Sequence, residues 1–329
     1  MTGPPLLLVV DGNSLLHRAY HAAATGLLRD DDGRAVWALK GLVTAVARAA
    51  ARLRPDAVLV GFDCPDHSAR RADYPGYKAH RPDKPAELAE QLVDAPALVR
   101  AATVAVAVPA GYEADDVLAS AAARARENDW RTVVVTGDRD AFALLDEHTS
   151  VLRVRTGGPV LVTPATLADL CGVQPWQYRD YAALRGDPSD NLPGVRGFGG
   201  TTAARLLAAF GSLDVAWAAL DGGRGSDVEA AVGERAAAHL ATPAARETVA
   251  RNKRLMRMRV DVPLPDLDAM RLPLRLAAMR AALAVRGINL GPSLWALTDG
   301  SPPPDEPPPT RPRSARAWRR PGAGQLALF

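Results

Sequence analysis

Apolar runs of strand length alternate with helical stretches in the first half of this chain, and acidic residues follow the strongest runs. The runs LLLVV (6–10), AVLVGF (57–62) and TVVVT (132–136) lead to Asp11, to Asp63, and to Asp138 with Asp140. Strands that alternate with helices are typical of a mostly parallel central sheet with helices on both faces. Open α/β sheets bind ligands at the carboxyl ends of their strands. We therefore predict an α/β fold whose acids gather at one sheet edge.

The remaining pattern divides the chain into three parts. We predict one helix between the first strand and 38, one that runs to about 102, and helices over 38–53, 114–127, 202–210, 226–240, 243–256 and 273–286. We also predict a short strand VAVAV at 104–108 and a helix starting at Pro164 behind Thr163 as cap. The predicted parts are an α/β core at 1–162, a mostly helical part at 163–300 and a tail at 301–329. The segment 302–324 contains eight prolines and five arginines, which is typical of an extended, disordered tether.

The composition indicates a globular protein with few cysteines, but it says little about function. The 329 residues are 48% hydrophobic, enough for a sizeable core, and a net charge of +3 indicates a polyanionic partner only weakly. Cys64 and Cys171 are too few for a disulfide framework and fit a reducing cytosol. No apolar stretch has the length of a signal peptide or membrane span. We predict a cytoplasmic monomer with no membrane partner.

Two further segments add acids to the predicted edge. Glu113, Asp115 and Asp116 open a helix, where capping and the helix dipole alone account for one or two acids. Asp187 and Asp190 are three positions apart, which favours one helical face, although a simple turn is the structural alternative. Because these acids and the strand-end acids share one predicted edge, a site for hard divalent cations is favoured over separate structural roles.

The residue types narrow the chemistry of such a site. Mg²⁺ prefers carboxylates and water, and two ions about 4 Å apart stabilise the attacking and leaving oxygens of a phosphodiester. The sequence has no His/Cys cluster with zinc spacing, no G-x-S-x-G and no Walker A loop. We therefore expect metal-dependent chemistry on a phosphodiester, and not zinc, serine-hydrolase or NTPase chemistry.

A basic, proline-containing segment at about 64–86 predicts a mobile loop or short helices over the acids. Its cations are Arg70, Arg71, Lys78, Arg81 and Lys84. They suit charge neutralisation of a phosphate backbone, and Tyr74 and Tyr77 offer surfaces for base stacking. A solvated polar loop is the alternative, but three aspartates offset only part of the segment's positive charge.

These segments together resemble the 5′-nuclease domain of bacterial DNA polymerase I and its flap endonuclease relatives. The matching motifs are LLLVVDGNSLLHRAYHA, VGFD, YPGYKAHRP, GYEADDVLA, TGDRDAFALL and RGDPSDNLPGVRGFG, between about 6 and 264. The resemblance implies a PIN-like nuclease core, a helical arch and a helix–three-turn–helix element. It also implies a stand-alone, metal-dependent 5′-3′ exodeoxyribonuclease and flap endonuclease, acting on 5′ flaps, nicks and duplex 5′ ends in primer removal and repair.

The resemblance further implies roles for individual residues. Two Mg²⁺ or Mn²⁺ ions would be held at a first site by Asp11, Asp63, Glu113, Asp115 and Asp116, and at a second by Asp138, Asp140, Asp187 and Asp190. A shared position of Asp138 between the two sites is the alternative. Lys78 and Arg81, within the YKAHR motif, are the predicted catalytic residues that hold the scissile phosphate.

A glycine turn lies at 194–200, within an element at about 186–211, and lets backbone amides approach phosphates ahead of a helix. The predicted DNA contacts are Arg18, Tyr20, Arg70, Arg71, Tyr77, Gly194, Arg196, Gly197, Gly199, Thr202 and Arg205. A structural turn, and a packing role for Tyr20, are the alternatives. Thr201 stands where many family members have Lys, so duplex binding is assigned to Arg196 and Arg205. The resemblance also implies K⁺ held by carbonyls of this turn.

The last five residues, QLALF, resemble the bacterial sliding-clamp-binding peptide, from which Ala327 departs. The predicted clamp contacts are Gln325, Leu326, Leu328 and Phe329, at the end of a tether that would keep the nuclease near the clamp. A tail that folds onto its own core is the alternative.

Two other classes of function remain open. A catalytically weak junction binder would lack several of the acids, and a PIN-type ribonuclease would lack the glycine turn and the basic arch. All three features are present in this sequence, so a structure-specific 5′-nuclease is favoured.

Overall fold

A six-stranded sheet forms the centre of the molecule in the computed structural model, which describes residues 3–22 and 28–310. Its strands are β1 (Leu6–Asp11), β2 (Ala57–Gly61), β3 (Ala105–Ala107), β4 (Arg131–Thr136), β5 (Thr149–Arg153) and β6 (Val160–Val162), in the order β3-β2-β1-β4-β5-β6. Neighbouring strands pair in parallel except at the antiparallel β5–β6 edge. The strand order reverses between β1 and β4, so their carboxyl ends form the switch point where such sheets bind ligands. The predicted α/β fold is confirmed.

The sheet is covered by helices on both faces. Within the described residues the α-helices are α1 (Gly12–Ala22), α2 (Trp37–Leu53), α3 (Ala69–Asp73), α4 (Ala86–Ala101), α5 (Ala114–Glu127), α6 (Pro164–Cys171), α7 (Tyr178–Arg185), α8 (Gly200–Phe210), α9 (Leu213–Asp221), α10 (Gly225–Val232), α11 (Glu234–Leu240), α12 (Pro243–Leu255) and α13 (Leu276–Ala284). The Thr163 hydroxyl caps α6 with Pro164 in its first turn, as predicted.

Most predicted helices match within two residues, and one is divided. Helix α5 has its predicted bounds, and α2 begins one residue early. The single helix predicted over 226–240 is wrong because Gly233, at φ 86°, ends α10 and starts α11. The helix predicted to begin at 273 starts at Leu276. Strands β5 and β6 and helices α7 and α9 were not predicted.

Alternation along β1 separates two apolar cores. Leu7 and Val9 point into a core shared with α5 and the helices from α6 to α12. Leu6, Leu8 and Val10 point into a second core shared with α1, α2, α4 and α13. Because side chains of a strand alternate between faces, the continuous apolar run of β1 supplies both cores.

The predicted helical part at 163–300 divides between these faces. Residues 164–270 pack on the α5 face. The chain then crosses β2, where Leu272 N donates to Asp56 O at 3.0 Å. Met279 and Leu283 of α13 pack into the other core, beside α4. The second core is therefore completed by residues near the far end of the described chain.

The basic segment predicted as an arch is helical at α3 and otherwise consists of turns, bends and irregular chain up to the start of α4. The tail from 311 onward lies outside the described residues, and with it the predicted clamp contacts Gln325, Leu326, Leu328 and Phe329. Among the described residues, no single helix is long and apolar enough to cross a membrane, although α8 and α9 pass that test as a pair bent by 74°.

Candidate active site

Asp11 and Asp63 end neighbouring strands and are held in fixed orientations by hydrogen bonds. Asp11 accepts from Ser14 N at 2.9 Å and from the Thr136 hydroxyl at 2.7 Å. Asn13 donates to Asp63 Oδ2 at 2.9 Å and accepts from Asp63 N at 3.0 Å. The sequence interpretation missed Asn13 and Thr136, although both stand within two residues of a strand-end acid.

The acids at the switch point raise one another's pKa values. Burial raises the pKa of Asp11 to about 7, with smaller contributions from the charges of Asp63 and Asp138. Burial also raises the pKa of Asp115 well above its usual range, and the charges of Asp138 and Asp11 add to that shift. Like charges in a buried site disfavour ionisation, and the charges of Lys78 and Arg70 offset only part of the rise in the pKa of Asp115.

A second group, Asp140, Asp187 and Asp190, brings one carboxylate oxygen from each residue to within 4.8 Å of the others. Asp140 Oδ1 is buried without a hydrogen-bond partner. Burial raises the pKa of Asp140 to about 8, and the charges of Asp138, Asp187 and Asp190 contribute. Asp187 accepts from the backbone amide and the hydroxyl of Ser189, both at 2.7 Å, and so caps the short 3-10 helix Pro188–Asp190.

This donor set fits a hard divalent cation. The convergent group contains oxygen ligands alone, without His or Cys, which suits Mg²⁺ or Mn²⁺ and disfavours zinc. An unpartnered buried carboxylate oxygen is costly unless a cation or donor reaches it. Within the described residues, the acids predicted for the first metal do not converge as tightly as Asp140, Asp187 and Asp190.

Asp116 is placed differently from its prediction as a metal ligand. Its carboxylate is completely buried and accepts four hydrogen bonds: two from Arg70 at 2.8 Å, one from Glu113 N at 3.0 Å and one from Arg259 N at 2.7 Å. Both oxygens are therefore occupied, and Asp116 joins the arch to the 255–259 segment. The same contacts correct the prediction of Arg70 as a DNA contact, because its side chain is only 11% exposed.

Lys78 contacts Glu113 beneath the arch. Lys78 Nζ lies 2.9 Å from Glu113 Oε2, and the Tyr77 hydroxyl donates to the same oxygen at 3.1 Å. Burial alone would lower the pKa of Lys78, but the charges of Glu113, Asp190 and Asp115 raise it. Tyr77 is 4% exposed, so the structure corrects its prediction as a stacking surface for DNA.

Arg81 contacts the segment that carries Ser189 and Asp190. Its guanidinium pairs with Asp190 and donates through Nε to Ser189 O at 3.1 Å. Lys78 N also donates to Asp190 O at 3.0 Å. The two predicted catalytic cations are thus paired with two predicted metal ligands, while Arg71 is exposed.

The glycine turn joins α7 to α8, as a helix–turn–helix element. Gly186 and Gly194 cross so closely that a side chain at Gly194 would overlap Arg185 O, which makes Gly194 a packing residue. Gly197 takes φ 85°. The side of this element near the start of α8 exposes Arg196, Gly197, Gly199, Thr201 and Arg205, with Thr202 half-buried.

The predicted contacts on α1 have separate surroundings. The Tyr20 ring stacks on Trp37 with centroids 5.3 Å apart, which favours the packing alternative. Arg18 is half-buried beside Asp138 and Ser14, lining a cavity at the switch point.

A doubly wound sheet with acids at its switch point, joined to a helical turn element, defines the class of metal-dependent 5′-3′ nucleases. The chain belongs to the 5′-3′ exonuclease family. Residues 6–172 match the 5′-3′ exonuclease N-terminal resolvase-like domain, and residues 173–276 match the C-terminal SAM fold.

Curated relatives support this assignment. The chain is 38% identical over 271 residues to DNA polymerase I of Mycobacterium leprae, which covers 82% of this chain and 28% of that protein. It is 36% identical over 258 residues to the thermostable DNA polymerase I of Thermus aquaticus, covering 78% of this chain and 29% of that protein. The chain thus spans less than a third of the length of these relatives.

Solved structures share the fold at low identity. The T5 D15 protein co-crystallised with metal ions aligns with a TM-score of 0.59 and 19% identity, covering 85% of this chain and 93% of that one. The catalytic core of Rad2 in complex with DNA aligns with a TM-score of 0.53 and 12% identity, covering 86% and 88%. These likenesses establish the fold.

Proposed function

We propose that this chain is a metal-dependent 5′-3′ exonuclease and flap endonuclease that hydrolyses DNA phosphodiesters with two Mg²⁺ or Mn²⁺ ions. The observation that carries the proposal is the convergence of Asp140, Asp187 and Asp190 beside the mutually repelling Asp11, Asp115 and Asp138. Family membership supplies the substrate class.

The acids divide between two ions. Asp11, Asp115 and Asp138 would hold one, supported by Asp63 and Glu113, and Asp140, Asp187 and Asp190 would hold the other. When bound, the ions supply charge stabilisation for the attacking and leaving oxygens of the phosphodiester. Asn13, Ser14 and Thr136 fix the orientation of the strand-end carboxylates through their hydrogen bonds.

Lys78 and Arg81 bind the phosphate group that enters this site. Both are paired with acids in the structure, Lys78 with Glu113 and Arg81 with Asp190. Cations bound by the acids would weaken these ion pairs, and a phosphate would then offer the released side chains a new anionic partner. Substrate and metal are therefore expected to bind cooperatively.

The helix–turn–helix element provides the surface for duplex DNA. Arg196 and Arg205 are exposed near the start of α8, where backbone amides and side chains suit phosphate contacts. The T5 D15 flap endonuclease, which shares the fold, is described in a complex with DNA and metal ions. A K⁺ held by the carbonyls of the glycine turn belongs to the same proposal.

A flap-cleavage assay with EDTA and metal add-back tests this function. The protein should release short products from a 5′-labelled flap with Mg²⁺ or Mn²⁺ and none with EDTA. Asp140→Asn should abolish cleavage, whereas Asp268→Asn, at a residue 87% exposed, should cleave normally. Full activity of Asp140→Asn would contradict the metal assignment.

The cytoplasmic location, the monomeric state, the role in primer removal and repair, and binding of QLALF to a sliding clamp remain proposals. The clamp contact can be tested by titrating the clamp with the wild-type chain and with the double substitution Leu328→Ala and Phe329→Ala. Equal affinities would contradict it.

A further inference from the structure

Arginines surround a cavity of about 670 Å³ next to the acids. Arg18, Arg139, Arg153, Arg155 and Arg185 line it, and Asp138 and Asp187 lie on its metal-binding side. The metal assignment uses only Asp138 and Asp187 of this lining, and the glycine turn uses none of it; we call it the arginine cavity. Its volume is in the range of small-ligand sites.

The arginine cavity lies at the carboxyl ends of three neighbouring strands, β1, β4 and β5. Arg18 is on α1, the helix that directly follows β1. Thr136 of β4 is in register with Arg153 of β5, and Val154 N donates to Thr136 O at 2.8 Å. The chain after β4 turns towards the acids at Asp138, while the chain after β5 continues to Arg155. Positive charge therefore stands beside the acidic site along the same sheet edge.

Within the part of the chain that the structure describes, none of these five guanidiniums is paired with an acid, and Arg185 donates through Nε to Gly186 O at 3.2 Å. Among the described residues, Arg18, Arg139, Arg153 and Arg155 form no ion pair within 4 Å, and Arg153 Nε is buried without a hydrogen-bond partner. Partial burial, with the charges of Arg139 and Arg155, lowers the pKa of Arg153. By contrast, Arg70 and Arg81 are both paired with acids.

We propose that the arginine cavity binds the 5′-terminal phosphate monoester of the DNA strand being degraded, an inference that rests on the proposed nuclease function. Guanidinium groups bind phosphate oxygens in bidentate geometry. A terminal phosphate carries a charge of about −1.5 to −2, against −1 for a diester. Four free guanidiniums facing two acids suit the more highly charged group. The site thus recognises a phosphorylated end.

Paired substrates test this inference. Blunt duplexes with a 5′-phosphate or a 5′-hydroxyl, otherwise identical, are cleaved by the wild-type chain and by the double variant Arg153→Gln and Arg155→Gln. The wild type should favour the 5′-phosphate by roughly tenfold or more in kcat/KM, the size expected for hydrogen bonds between charged groups. The double variant should reduce that ratio to near one. Arg280→Gln, at an exposed arginine on α13, should keep the wild-type ratio.

A binding measurement separates this inference from the nuclease function. Fluorescence anisotropy in EDTA with the same two duplexes should show tighter binding of the 5′-phosphate by the wild type and not by the double variant. No preference of the wild type in either measurement overturns the inference and indicates that the cavity meets an internal phosphodiester. An unchanged ratio in the double variant also overturns it, because another part of the protein then recognises the 5′-phosphate. A wild type that binds the 5′-phosphate selectively but cleaves neither duplex supports the cavity and contradicts the nuclease function.

Discussion

Asp115 and Asp116 are adjacent, yet we expect their replacement by Asn to have different effects. Asp116→Asn should lower the stability of the fold, and Asp115→Asn should abolish activity. Asp116→Asn leaves the Arg70 guanidinium buried without its main counter-charge. Breaking a buried pair costs about 3–5 kcal/mol, and Glu113, 3.4 Å from Arg70 Nη1, retains part of the attraction. We therefore expect the free energy of unfolding to fall by about 3 kcal/mol. At about 2–4 °C per kcal/mol, the Tm should fall by about 6–12 °C.

Asp115→Asn should act on activity and not on stability. It removes a carboxylate whose ionisation is opposed by burial and by Asp138 and Asp11, so the metal-free protein should melt no earlier than the wild type. Flap cleavage should be lost because a ligand of the ions is gone. Thermal unfolding followed by circular dichroism in EDTA, together with the Mg²⁺ flap assay, measures both quantities. A wild-type Tm for Asp116→Asn would refute the assignment of Asp116 to Arg70.

Three further predictions concern the same surroundings. Without metal, the free energy of unfolding should fall as pH rises from about 4 to 8. Asp11 and Asp140, with pKa values of about 7 and about 8, keep protons when folded that the unfolded chain releases; a flat profile in urea titrations would contradict this. Lys78→Met should lower kcat on flaps by roughly 10²–10³, with exposed Lys40→Met as an unaffected control. Gly194→Ala should cost about 1–3 kcal/mol in denaturant unfolding; equal stability with Gly199→Ala, which has open space, would contradict that.

The fold was predictable because its main signals are local. A few consecutive residues are enough to predict the apolar strands β1, β2 and β4 and the unbroken helices α2 and α5. Strand β6 has three residues, and the break at Gly233 depends on its positive φ. Such short elements carry too few residues for a periodic pattern to be read.

The site was predictable as a set of acids but not as a set of contacts. The sequence placed Asp115 and Asp116 in one metal group because both open the same helix. Their separation depends on Arg70, 46 residues earlier, and on Arg259 N, 143 residues later. Likewise, the clustering of unpaired arginines depends on the register of β4 and β5. Contacts between distant segments are set by tertiary packing, which local spacing does not encode.

The return of the chain to the second core has a mechanical consequence. The helices from α6 to α12 leave the sheet after β6 and rejoin it where Leu272 N bonds to Asp56 O, so this insertion is connected to the sheet at both of its ends, in addition to packing on α5. An insertion connected at both ends cannot swing about a single hinge, and a force applied to its helices is transmitted to β2 as well as to β6. Severing the chain between 270 and 276 would keep every acid in place while freeing one of the two fastenings.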